Sequence, residues 1–214
     1  MDQFELTDRT ETGPPILNSN KPEIQIIASA YHEAGHAICA LHTGTRIRKI
    51  GISIRNPGDG FTVRNSPNLY NPFYPGTSNE SVQSAWGFAL DNFKKEISIY
   101  LAGPLAEAQF LGGNPLSLRG ADHDRAICEG FIPRMQGLYD YYCGYGQLPR
   151  FCGNQVLNNV RDSTKSWISR KIVWRTITAV AQVLCLRGQL DERQISYVVG
   201  QVKGASNQLS LDLM

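Results

Sequence analysis

The strongest constraint in the sequence is a helical period with two histidines built into it. Ile24, Ile27, Ala28, Tyr31, Ala34, Ile38 and Leu41 recur at three- and four-residue steps, Pro22 suits a first turn, and Gly44 stops the pattern. This spacing predicts an amphipathic helix of about five or six turns, at ~3.6 residues per turn. Inside it lies His32-Glu33-Ala34-Gly35-His36. Four residues advance a helix by about 400°, so the imidazoles stand ~40° apart on adjacent turns, where one cation reaches both. Neutral imidazole is a good zinc ligand, and a catalytic zinc keeps three protein ligands plus one water. Glu33 flanks the pair and can take a proton from that water.

Spacing alone does not choose the third ligand. Cys39 lies near the same face but about a turn too far along, and reads as a small buried apolar residue. His42, Glu107, Asp122, His123 and Asp124 are all candidates.

The rest of the chain reads as mainly α with a small β-sheet. Ile47, Ile50, Ile52 and Ile54 mostly alternate, and Pro57-Gly58-Asp59-Gly60 turns the chain into Phe61-Thr62-Val63, which predicts a short strand pair. Residues 65–77, with Pro67, Pro72 and Pro75, form a loop. Helices are expected over 78–111, from about Ala121 to Ile132 before Pro133, over 154–186 before Gly188, and from an Asp191 cap to about Lys203. Tyr139, Tyr141, Tyr142 and Tyr145 are expected in a glycine-containing loop. The organisation is a flexible tail over 1–21, one domain over 22–203 and a C-terminal tail over 204–214.

Composition narrows the function classes. With 214 residues, 42% of them hydrophobic, the chain supports one well-buried core. Lys+Arg 21 against Asp+Glu 19 leaves no basic excess for a nucleic-acid backbone. Arg46, Arg48, Lys49 and Arg55 read as a solvated edge. The most apolar stretch, Ile172 to Leu186, is interrupted by Arg175 and falls short of the ~20 residues of a membrane span. The acidic start MDQFELTDRTE does not resemble a signal peptide. Five cysteines without a CxxC pair suggest free thiols in a reducing cytoplasm, with Cys143 and Cys152 as the one pair that flanks a short loop.

Ala30-Tyr31-His32-Glu33-Ala34-Gly35-His36-Ala37, followed by the isoleucine-rich strand and Gly60-Phe61-Thr62, resembles the zinc peptidase domain of the FtsH-type AAA proteases. Leu101-Ala102-Gly103-Pro104-Leu105-Ala106-Glu107 is similar to the family's small-residue helix ending in Ala-Glu. Gly120-Ala121-Asp122-His123-Asp124 is similar to its Gly-Ala-Ser-Asn-Asp segment, and Gly188-Gln189-Leu190-Asp191-Glu192 to its C-terminal turn. The resemblance spans about residues 22–200. It implies an FtsH peptidase-domain-like fold, zinc held by His32, His36 and Asp124, and Glu33 as the catalytic base. Asp122 and His123 stand where the family has Ser and Asn, and Pro104 stands where it has Arg. Glu107 is open between an acceptor for a ligand imidazole and a plain surface glutamate. The 65–77 loop is longer than the family's usual connector.

Family members carry an ATPase module with a GxxxxGK[ST] loop, but no Gly-Lys dipeptide occurs in these residues. The expectation is therefore an ATP-independent zinc metalloendopeptidase acting on flexible or unfolded polypeptides. The strand near Gly51 to Ile54 is expected to accept substrate as an added strand. Neither nucleic acid nor a membrane span is expected, and homo-oligomer formation is left open. The alternative is a non-catalytic regulatory or binding subunit that docks with an ATPase or related protease. The intact Glu33 argues against it, because a structural zinc site needs no base.

Overall fold

A computed structural model of the chain describes residues 21–65, 79–113 and 121–211. The expected N-terminal tail, apart from Lys21, and nearly all of the 65–77 loop lie outside these residues. The elements are α1 (Pro22–His42), β1 (Ile47–Ile52), β2 (Gly60–Arg64), α2 (Asn79–Leu111), α3 (Ala121–Cys143), α4 (Gly153–Ile168), α5 (Lys171–Arg187), β3 (Gln189–Asp191) and α6 (Glu192–Leu211). The described residues are mainly helical with one three-stranded antiparallel sheet. Among the described residues no helix is long and apolar enough to cross a membrane.

Helix α1 starts at Pro22 and ends where Thr43 returns its N–H to the Cys39 carbonyl, ahead of Gly44 at φ 79. The expected amphipathic helix is instead covered on every side over most of its length. Ala28 to Tyr31 and Glu33 to Ala40 are buried, as a helix at the centre of a fold must be. Its run of alanines lets α2, α5 and β1 approach closely, and Ile47, Ile50, Ile99, Ile177, Val180 and Leu184 fill the space around it.

The sheet order is β2-β1-β3, so the expected strand pair gains a third strand. Gln189, Leu190 and Asp191 pair with Gly51, Ile50 and Lys49, while Phe61, Thr62 and Val63 pair with Gly51, Ile50 and Lys49 from the other side. This corrects the expected docking strand. β1 has neighbours on both edges, and beyond it the Ser53 N–H is taken by the Asp59 carbonyl, so a polypeptide cannot be added there. β2 is the edge strand on the α1 side of the site.

Three helix boundaries also differ from expectation, the last being α6, which runs to Leu211 where a tail was expected from residue 204. α3 runs through Pro133 to Cys143, which places Tyr139, Tyr141 and Tyr142 on the helix and leaves Tyr145 beyond it. An interior proline costs about 3 kcal/mol, yet burying one large apolar side chain returns about 1.5–3. Phe131, Met135 and Tyr142, on both sides of Pro133, are all buried, the first two against Phe93, Ile97 and Val160. The expected single helix over 154–186 is two, because Arg170 is extended at φ −65 and ψ 131. Ser169 closes α4 with its hydroxyl on the Lys165 carbonyl.

A candidate metal centre between three helices and an edge strand

Helix α1 presents His32 and His36 with ring centroids 4.7 Å apart. The first turn of α3 brings in Asp124, whose Oδ2 lies 3.0 Å from His32 Nε2 and 3.3 Å from His36 Nε2. One donor atom from each of the three residues falls within 4.8 Å of the others. Helix α2 takes the remaining ring nitrogens. His36 Nδ1 donates to the Ile99 carbonyl at 2.7 Å, and His32 Nδ1 donates to Glu107 Oε2 at 2.9 Å. A carbonyl can only accept, so His36 carries a proton on Nδ1, and its Nε2 is the nitrogen that faces Asp124.

The electrostatics favour positive charge at this place. Burial alone would lower the basicity of His32, but hydrogen bonds to Asp124 and Glu107 and the charges of Glu33 and Asp124 push its pKa up to about 10. Burial would raise that of Asp124, yet its hydrogen bonds to His32 and His36 hold it well below the usual carboxylate range. Three carboxyl groups, Glu33, Glu107 and Asp124, thus stand around two imidazoles. Two imidazole nitrogens and one carboxylate oxygen are a donor set that zinc accepts, and an acceptor behind each ring is the usual support for it. The residues fit a divalent cation.

The other candidate ligands are elsewhere. His42 is exposed and stacks on Trp167 at 4.8 Å. Asp122 faces outward and pairs with Arg125 at 2.7 Å, and His123 is exposed. Glu107 touches His32 on the nitrogen turned away from Asp124. Cys39 is buried, and burial pushes its thiol pKa up to about 12. All five cysteines are free, including Cys143 and Cys152. Of the basic group, Arg46 binds Glu192 at 2.8 Å, Arg48 bonds Asn65 at 3.1 Å, and Arg55 is exposed.

Glu33 is buried beside the ligands and is gripped by β2. Thr62 Oγ1 donates to its Oε2 at 2.6 Å. Gly60, two residues earlier on the same face of the strand, leaves the space its carboxylate fills, since a Cβ there would lie 2.5 Å from Oε1. Alternation along β2 gave no usable signal for Gly60 and Thr62, because its apolar members, Phe61 and Val63, are the exposed ones. The Ile99 carbonyl had none either, because a main-chain acceptor is shared by every residue type.

What the geometry defines is a buried His-His-Asp cluster with an adjacent carboxylate held from an edge strand. No family model matches the chain, and no curated protein matches it.

Proposed function

We propose that the chain is an ATP-independent zinc metalloendopeptidase with an FtsH-type peptidase-domain fold, hydrolysing peptide bonds in flexible or unfolded polypeptides. The observation that carries this reading is the convergence of His32 Nε2, His36 Nε2 and Asp124 Oδ2 within 4.8 Å, with the Glu33 carboxylate beside them. His32, His36 and Asp124 hold the metal. Zinc held there would supply Lewis-acid polarisation of a carbonyl and a more acidic water. Glu107 and the Ile99 carbonyl fix the two rings through their Nδ1 protons. Glu33 takes a proton on its carboxylate and returns it to the leaving amine.

The edge strand β2 supplies the place for substrate. Among the described residues it pairs with β1 on one side only, and an extended polypeptide added along its outer edge would lie next to the base that Gly60 and Thr62 hold. Flexible chains are favoured because only an unpaired segment can form such a strand. The five unpaired cysteines fit a reducing compartment.

Cleavage of an unstructured protein by the purified chain tests the reading. Activity should vanish with a chelator, return with zinc and be unchanged by ATP. Asp124→Ala should weaken zinc binding far more than Asp122→Ala or His123→Ala. A zinc-loaded protein that cleaves no unfolded chain would instead favour a regulatory subunit.

A further inference from the structure

Gly103 lies in the interior of α2, where glycine destabilises a helix relative to alanine. Its φ is not positive, so backbone conformation gives no reason for it. Its surroundings do. A Cβ built on Gly103 would meet imidazole atoms first: His36 Nε2, closer than any carbon–nitrogen contact allows, His36 Cε1 at 2.5 Å and His32 Nε2 at 2.8 Å. Gly35 on α1 makes the contrast, because a Cβ there would strike the Ala102 carbonyl oxygen and Ala106 Cβ. Gly35 therefore serves the close approach of two helices, whereas Gly103 stands against the metal-facing nitrogens themselves.

The neighbours of Gly103 on the same face of α2 sharpen the point. Ile99, four residues before it, and Glu107, four residues after it, take the Nδ1 protons of His36 and His32. One helix face thus orients both rings through Nδ1 and stands clear of both at Nε2. Asp124 Oδ2, 3.0 and 3.3 Å from the same two Nε2 atoms, borders that space.

We propose that Gly103 is a positioning residue that keeps the Nε2 side of both imidazoles open, so that the missing side chain is itself part of the metal site. The inference rests on the metal reading above and assigns α2 a role in it beyond orienting the rings. A methyl group at 103 removes no ligand, charge or hydrogen bond. It removes room.

The test uses the full chain, wild type and Gly103→Ala, stripped of metal and titrated with zinc alone. Zinc per chain is measured by elemental analysis after dialysis, and helical content and melting temperature are measured on the metal-free forms. The wild type should hold about one zinc. Gly103→Ala should bind at least ~100-fold more weakly, comparable to losing a supporting group, with metal-free helicity near wild type and melting lowered only by the few degrees, roughly, that one overpacked buried contact costs. Binding within threefold of wild type would overturn the inference. So would loss of zinc only together with loss of helical signal, which would make Gly103 a packing residue like Gly35. A wild type that takes up no zinc would sink the metal reading itself, a result visible before the variant is made.

Discussion

Glu33 and Thr62 show how much a single contact determines. The hydroxyl of Thr62 fixes one oxygen of the Glu33 carboxylate at 2.6 Å, and Gly60 leaves room for the other. A hydrogen bond to a charged group contributes about 1.5–3 kcal/mol, so Thr62→Val should lower kcat by about tenfold or more with KM little changed. Thr62→Ser, which keeps the donor, should restore it. A Thr62→Val variant with wild-type kcat would show that the contact does not position Glu33 for the proposed reaction. The buried thiols offer a second check. Burial holds Cys39 and Cys128 protonated, with pKa values pushed up from 9.0 to about 12, while Cys143 and Cys152 are exposed. Thiol alkylation of the native protein at pH 8 should therefore spare Cys39 and Cys128 until the chain is unfolded, and early labelling of either would contradict the core described.

The elements differ in how far local sequence determines them. α1 was legible because its apolar period is unbroken from Ile24 to Leu41 and its stop is a glycine in the left-handed region, Gly44 at φ 79. Its all-round burial was not legible, because alanine reads as neutral until neighbouring helices are known to crowd it. Pro133 ends a helix on local rules, and only the burial of Phe131, Met135 and Tyr142 overrides it. β3 escaped notice because three residues are too few for a period, and it exists through pairing with β1. Within the site, the His32–His36 pair follows from helix geometry, whereas the contacts of Glu107 with His32 and of Thr62 with Glu33 join segments far apart in sequence. The Asp191 cap was legible, and the structure adds its reciprocal partner: Gln194 N–H donates to Asp191 Oδ1, and Asp191 N–H donates to Gln194 Oε1, both at 2.9 Å. Asp191→Ala should cost about 0.5–2 kcal/mol of stability, measured by chemical denaturation. No loss would mean that the pairing of β3 alone orders the start of α6.

Across the molecule, the site exists only when α1, α2, α3 and β2 are assembled, since its donors range from His32 to Asp124. Tertiary packing therefore supplies the His32-His36-Asp124 cluster, and the buried Arg64–Glu96 ion pair at 2.7 Å ties β2 to α2. Glu33 makes no ligand contact in this arrangement, so its role separates cleanly from that of His36. The decisive measurement is zinc content and cleavage of an unstructured protein on the same preparations of wild type, Glu33→Gln and His36→Ala. Glu33→Gln should keep zinc near the wild-type level and lose about 10²–10⁴-fold in turnover or more, while His36→Ala loses both. Equal turnover in wild type and Glu33→Gln would contradict the peptidase mechanism even with zinc in place.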